Sequence, residues 1–289
     1  MAPVVRALQQ RPEEITALSC ATAQHRELLD QVLSLFDIVP DVDLNIMRPG
    51  QTPSQVAARV LLELEPVLER LRPDWVLVQG DTTTVLAAAL AAHHLRIRVG
   101  HVEAGLRTGD RWNPFPEESN RVLTDHVSDL CFAPTAQAQA GLLAENIPAA
   151  RILVTGNTVI DALLTVAQRP WAPAPSSPLA TLSSTARLIL VTAHRRENFG
   201  VPFANICRAL REIAAKAPEI TLVYPVHPNP NVHEVAHREL AGVPNLILLP
   251  PVDYLTLVNL MKRSVLILTD SGGIQEEAPA LGVPVLVLR

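Results

Sequence analysis

Several polar residues able to do chemistry stand directly after short apolar runs. Asp81 follows WVLVQ in Gly80-Asp81-Thr82-Thr83-Thr84, and Glu103 follows Ile97–Val99 within Gly100-His101-Val102-Glu103-Ala104-Gly105-Leu106-Arg107. Pro116-Glu117-Glu118-Ser119-Asn120-Arg121 opens a helical stretch. His194-Arg195-Arg196 follows RLILVT, and Ser271-Gly272-Gly273 follows VLILTD. A His-Arg-Arg run at the end of a strand suits an anion. Two glycines before a helix starting near Ile274 let the backbone approach a ligand, and the helix N-terminus carries partial positive charge, so this turn reads as a diphosphate site. Glu276 and Glu277 come next. Acids there would repel a phosphate on the same amides, so one of them is better used on neutral hydroxyls such as a ribose diol.

Each residue also has a plainer reading. Asp81 fits a helix N-cap, a role compatible with a place in a site. Glu103 is a poor core residue between glycines and a good cleft residue, but it could pair with Arg107. Glu117 and Glu118 suit the dipole of a first helical turn, and Arg121 lies one turn on, on the same face as Glu117. His227, in Tyr224-Pro225-Val226-His227, is a lone histidine after a strand, and such residues are usually structural.

These residues need elements to position them. Strand-type runs occur at Trp75–Gln79, Ile97–His101, Leu130–Ala133, Ile152–Thr155, Leu188–Thr192, Leu222–Pro225, Leu246–Leu249, Val265–Thr269 and Val285–Leu288. Helical patterns such as Thr82–His94, Glu117–Val127 and Phe203–Lys216 alternate with them. That alternation predicts an α/β fold with parallel sheets. The Pro-, Ser- and Ala-rich stretch 166–186 reads as a linker between an N-terminal domain, 1–165, and a C-terminal domain, 187–289. Ligands on such sheets bind beyond the carboxyl ends of the strands, so two facing sheets would place a cleft between the domains. The chain opens on an amphipathic helix, Met1–Gln10, rather than a strand, and stops at Arg289 directly after a buried-type strand. Together these ends read as a truncated chain.

Composition supports this class. The chain has 289 residues, enough for two ordinary domains, with 48% apolar but only 3% aromatic residues. The cores must therefore be aliphatic, as in parallel sheets covered on both faces. Twenty-four basic against 29 acidic residues give a net charge of −5, with no basic run to neutralise a nucleic-acid backbone. Cys20, Cys131 and Cys207 are far apart and odd in number, which predicts three reduced core thiols in a cytoplasmic protein. No signal peptide is visible, and no apolar run is long enough to cross a bilayer.

Nine segments in order carry a resemblance: TAQHRELLDQ (22–31), DLNIMRPGQ (43–51), GDTTT (80–84), GHVEAGLRTGD (100–110), PFPEESNR (114–121), TGNTVIDALL (155–164), HRRENFG (194–200), YPVHPNPNV (224–232) and LTDSGGIQEEAP (268–279). They resemble the non-hydrolysing UDP-N-acetylglucosamine 2-epimerase family. The resemblance implies a GT-B-like architecture of two Rossmann-like domains. It also implies reversible conversion of UDP-GlcNAc to UDP-ManNAc through elimination of UDP and re-addition to 2-acetamidoglucal. It makes Asp81, Glu103, Glu117 and His194 the catalytic residues. Arg121, Ser271, Gly272, Gly273 and Glu277 become substrate-binding residues. Gln24, His25, Arg48 and His227 fall on motifs tied to a second, activating UDP-GlcNAc. The family further implies a homodimer and no redox cofactor or essential metal.

The chain departs from the family's pattern in three places. A leading strand with a Gly-Thr-Arg-Pro-Glu type loop and a closing segment are missing. Val252 and Leu257 stand where some members carry Gln and Phe near the uracil. The competing readings are a hydrolysing 2-epimerase, a GT-B glycosyltransferase and an inactive truncated remnant.

Overall fold

The structure, a computed structural model, describes residues 1–23, 26–183 and 185–288. The chain divides into two compact units, Met1–Thr158 and Val159–Arg289. Every strand pairing among the described residues is parallel.

The first unit opens with α1 (Ala2–Gln9), which buries none of its residues. Two two-residue strands, β1 (Cys20–Ala21) and β2 (Val42–Asp43), pair with each other, and α2 (Arg26–Leu35) lies between them in sequence. Then come α3 (Pro53–Leu71), β3 (Trp75–Gln79), α4 (Thr83–His94), β4 (Arg98–Val102), α5 (Glu117–Val127), β5 (Leu130–Ala133), α6 (Ala136–Ala144) and β6 (Ile152–Val154). The main sheet has the order β3-β4-β5-β6.

Local sequence explains these elements. A capping box, Thr52 with Gln55, starts α3, and Arg72 in a left-handed conformation ends it before Pro73. The helix α4 buries Ala87, Ala88, Ala89, Ala91 and Ala92, small side chains that let it pack between α3 and the sheet. Val56, Val60 and Leu64 of α3 and Val78 and Val99 of the sheet complete that core.

The helix α7 (Thr158–Ala167) leads into the second unit. It is followed by β7 (Arg187–Thr192), α8 (Val201–Lys216), β8 (Ile220–Pro225), α9 (Pro230–Leu240), β9 (Leu246–Leu249), α10 (Tyr254–Arg263), β10 (Ser264–Thr269), α11 (Gly272–Ala280) and β11 (Val285–Val287). The sheet order β11-β10-β7-β8-β9 reverses between β7 and β10. That reversal opens a crevice beyond their carboxyl ends, where ligands of such sheets bind. The core is aliphatic around Tyr224, whose hydroxyl donates to the carbonyl of Ala193 at 2.7 Å.

The Pro- and Ser-rich stretch packs within this second unit. Trp171 Nε1 donates to Thr256 Oγ1 at 3.1 Å, Lys262 Nζ donates to the carbonyl of Ala167 at 2.7 Å, and Leu179 is buried. Cys131 and Cys207 are core thiols, as expected, whereas Cys20, on a two-residue strand whose Ala21 is the buried member, is exposed. Among the described residues no helix is long and apolar enough to cross a membrane.

Candidate active site

The first unit gathers its carboxylates at the ends of β3 and β4 and the start of α5. The chain leaves β3 through Gly80 at φ +83°. Thr82 caps α4 by accepting from the amide of Val85, so the N-cap role falls to Thr82 and not to Asp81. The carboxylate of Asp81 instead accepts from Arg121 Nη2 at 2.5 Å, and its carbonyl accepts from Asn120 Nδ2 at 2.9 Å.

Glu103 follows β4 with φ +67°, a left-handed conformation that costs a non-glycine residue about 1–3 kcal/mol and gathers at functional sites. Gln79 Nε2 donates to its Oε2 at 3.3 Å. Arg107 is committed elsewhere, to Asp125 at 2.7 Å and to Glu145 at 2.6 Å.

Glu117 is the first residue of α5 and is half-buried. Its neighbour Glu118 turns inward, 3% exposed, and accepts from the amides of Thr108 and Gly109 at 3.0 and 3.1 Å. The other oxygen of Glu118 lies 3.5 Å from Arg121 Nη1 but accepts no hydrogen bond, and Arg121 Nε donates none. The guanidinium of Arg121 thus stands between Asp81 and Glu118.

Behind these groups lies a polar network that the sequence reading did not single out. His101 is fully buried. Its Nδ1 is 2.6 Å from Asp125 Oδ1, and its Nε2 is 2.8 Å from the carbonyl of Gly80. Asp125 also accepts from the amide of Gly105 and from Arg107. Two buried polar residues, one on a strand and one on a helix, were the available signal.

The second unit builds its site at the β7/β10 reversal. Asp270, 1% exposed, accepts from the amides of His194 and Arg195, each at 2.9 Å, and from Asn198 Nδ2 at 2.9 Å. His194 Nδ1 is 3.6 Å from Asp270 Oδ1, and its ring stacks on His227 with centroids 5.5 Å apart. Burial pushes the imidazole below its usual pKa. The Asp270 carboxylate opposes that shift, and His227 and Arg195 add to it.

The helix α11 starts at Gly272, two residues before the expected Ile274, with Ser271 as N-cap and no side-chain cap bond. A Cβ on Gly272 would lie 3.3 Å from Arg195 Nη2, so a guanidinium adjoins the turn. The early start moves Glu277 out of the first helical turn. It is buried there and accepts from the Tyr254 hydroxyl at 2.6 Å. Burial raises its carboxyl pKa, the Tyr254 bond opposes this, and Glu276 adds to it. A cavity of about 230 Å³ is lined by His194, His227, Val252, Leu257, Ser271 and Ile274, among others.

The remaining expected positions are less informative. Arg48 is in an exposed loop, where its amide donates to Gln51 Oε1 at 2.7 Å. Gln24 and His25 lie outside the described residues. Among the described residues no group of three or more His, Cys, Asp or Glu could hold a metal ion.

Known proteins are similar to this chain in sequence and in fold. The family model described as UDP-N-acetylglucosamine 2-epimerase matches residues 6–289. A UDP-N-acetylglucosamine 2-epimerase of Yersinia pestis is 56% identical over 294 residues, which takes in 100% of this chain and 78% of that protein. The crystal structure of UDP-GlcNAc 2-epimerase from Neisseria meningitidis bound to UDP-GlcNAc is 48% identical, with a TM-score of 0.88. It aligns with 100% of this chain and 79% of that one. A putative UDP-N-acetylglucosamine 2-epimerase from Listeria monocytogenes, also 48% identical, gives a TM-score of 0.91 over 100% of this chain and 75% of its own. The fold class expected from the sequence, GT-B-like with two Rossmann-like parallel sheets, is the class that this chain has. Matched along nearly its whole length, the chain belongs to the UDP-N-acetylglucosamine 2-epimerase family, a family of isomerases.

Proposed function

We propose that the chain interconverts UDP-GlcNAc and UDP-ManNAc by the non-hydrolysing route. The observation that carries this is the carboxylate group at the ends of β3 and β4 and the start of α5: Asp81 held on Arg121, Glu103 beside Gln79, and Glu117. The C2 proton of the sugar is not adjacent to a carbonyl, so a base alone removes it poorly. Cleavage of the C1–O bond must run ahead, with positive charge growing at C1. Carboxylates stabilise that charge and also act as base and acid. UDP leaves with the C1–O electron pair, and one carboxylate takes the C2 proton, giving 2-acetamidoglucal. UDP then adds back to C1, and a proton returns to the opposite face of C2.

In the second unit, groups suited to a diphosphate stand at the β7/β10 reversal. The Gly272 and Gly273 amides at the start of α11, with Ser271, are suited to the diphosphate. In this reading His194, once protonated, steadies the leaving UDP, and Glu277 accepts from the ribose hydroxyls.

Incubation with UDP-GlcNAc in deuterated water, followed by NMR, tests the reading. UDP-ManNAc carrying deuterium at C2 is the expected product. Accumulating free ManNAc would replace the reading with a hydrolase. Turnover only after an acceptor is added would replace it with a glycosyltransferase. A folded protein giving neither product nor deuterium exchange would mark it as inactive.

The same reading includes a second UDP-GlcNAc as activator, supported by the stacking of His227 on His194. Sigmoidal rates that become hyperbolic in His227→Ala are the expected result, and hyperbolic rates in both proteins would count against it. It also includes a homodimer, which sedimentation at micromolar concentration would show as a species of twice the chain mass.

A further inference from the structure

We propose that His101 is a positioning residue for this chemistry: its Nε2–H holds the Gly80 carbonyl and so fixes the turn that presents Asp81. The proposal rests on the reading of Asp81 as a catalytic carboxylate.

The argument begins with the proton. A carbonyl oxygen only accepts, so the 2.8 Å contact between His101 Nε2 and the Gly80 carbonyl requires a proton on Nε2. The other ring nitrogen is tied to Asp125 at 2.6 Å. Asp125 is itself held by the Gly105 amide at 3.2 Å and by Arg107 Nη2 at 2.7 Å. With its ring fully buried and both nitrogens engaged, His101 has no freedom to turn. The tie therefore runs from α5, through Asp125 and the imidazole, to the peptide directly before Asp81.

The turn it holds needs such a tie. Gly80 is in the left-handed region, and its amide donates to the carbonyl of Val102, one residue before Glu103. Glu103 is left-handed as well, and the position of a Cβ on Gly80 lies 3.8 Å from Glu103 Oε2. A left-handed Glu103 thus faces the Gly80 turn across β3 and β4, and glycine, which enters this conformation without strain, can leave it as easily. A hydrogen bond from a buried ring to the Gly80 carbonyl restricts how far the turn can relax. His101 touches neither carboxylate, so its effect passes through the Gly80 backbone.

Two substitutions separate its two bonds. A glutamine side chain carries its amide at the distance of Nε2, and an asparagine carries its amide at the distance of Nδ1. His101→Gln keeps a donor for the Gly80 carbonyl, whereas His101→Asn keeps a partner for Asp125 and abandons Gly80. We expect His101→Gln to stay within a few-fold of wild-type kcat. His101→Asn should lose about 10²-fold in kcat, the scale of a small misplacement of reacting groups, with little change in KM. Equal losses in the two folded variants, or no loss in His101→Asn, would overturn the proposal.

Nitrogen-15 NMR of the wild-type protein serves if either variant fails to fold. It should show His101 Nε2 protonated and slow to exchange, and an unprotonated Nε2 would overturn the assignment directly. A wild-type protein without epimerase turnover would sink the reading of Asp81, while the protonation state seen by NMR would still decide whether His101 holds the Gly80 carbonyl.

Discussion

Arg121 reaches back from α5 to place Nη2 2.5 Å from Asp81 Oδ2, while Nη1 stands 3.5 Å from the unpaired oxygen of Glu118. One guanidinium therefore serves two carboxylates, of which Asp81 follows the carboxyl end of β3 and Glu118 is buried. Asp81→Asn should leave the protein folded, because Glu118 still balances the Arg121 charge. Its kcat should fall by about 10²–10⁴-fold, the usual share of a positioned acid or base. Thermal unfolding together with initial rates checks both halves. A variant with near-wild-type kcat would remove Asp81 from the chemistry.

Asp270 satisfies three donors from the loop after β7. Asp270→Ala removes the acceptor of the half-buried His194 and Arg195 amides and of the buried Asn198 side chain, and the buried group left unsatisfied costs about 1–3 kcal/mol. The unfolding midpoint should drop by more than any single exposed substitution produces. UDP binding should weaken too, because the same loop carries His194 and adjoins the Gly272 turn. Urea titration and calorimetry would measure the two effects.

Binding of UDP should take up a proton at His194. Burial keeps the free imidazole below its ordinary pKa, with Asp270 opposing and His227 and Arg195 reinforcing the shift. Near neutral pH the free ring is therefore largely uncharged. A diphosphate beside it favours the imidazolium, so affinity should rise as pH falls toward the pKa of the free ring. Calorimetry in buffers of different ionisation enthalpy should report net proton uptake at neutral pH, absent in His194→Gln.

Glu277→Gln should stabilise the fold while weakening UDP binding. The carboxyl is buried and its pKa is raised above the unfolded value, so its ionised form is disfavoured in the folded state. The sign follows: wild-type stability is eroded as pH climbs through the ordinary carboxylate range, and the neutral glutamine avoids this loss. Tyr254 can still donate to the amide oxygen. The gain in unfolding temperature should be present at pH 7 and vanish below the ordinary carboxylate pKa. Loss of charged hydrogen bonds to a ribose should cost about 1.5–3 kcal/mol of affinity.

Gly105→Ala should be strongly destabilising. Gly105 has φ +84°, and a Cβ there would meet the carbonyl oxygen of Ala138 at 2.4 Å. Backbone strain alone is worth about 1–3 kcal/mol, and the clash with a helix carbonyl adds to it. Denaturant unfolding checks this, and a change within about 0.5 kcal/mol, typical of a neutral surface site, would contradict it.

Much of the framework was legible because parallel strands and their helices leave strong apolar signals. The runs at Trp75–Gln79, Leu130–Ala133 and Leu246–Leu249 coincide with β3, β5 and β9. Other boundaries moved by a residue or two, as at β4 and α11, where hydrogen bonding rather than hydropathy sets the limit. The strands β1 and β2 are two residues long, too short for any alternation to show. At the site, the residues that follow strands stood out as types. What pairs with what did not: Asp81 was readable as a cap, Glu103 as a partner of Arg107, and Arg121 as a partner of Glu117. Those choices depend on long-range contacts across 40 residues for Arg121 and Asp81, and across 38 for Arg107 and Glu145. His101, Asp125 and Asp270 carry no such signal, and Glu118 read only as a helix-dipole acid, since a buried polar residue declares its role through partners distant in sequence.

The reversal of strand order in the second unit also bears on how this protein acquires its ligand site. His194 and Asp270 are 76 residues apart in the chain, and β7 and β10 are sheet neighbours although β8 and β9 lie between them in sequence. Closing so long a loop is slow relative to local pairing. Late formation of the loop after β7 is therefore the expected outcome. Refolding in the presence of UDP should then show the ligand signal lagging the secondary-structure signal, and simultaneous signals would contradict late pairing of β7 with β10.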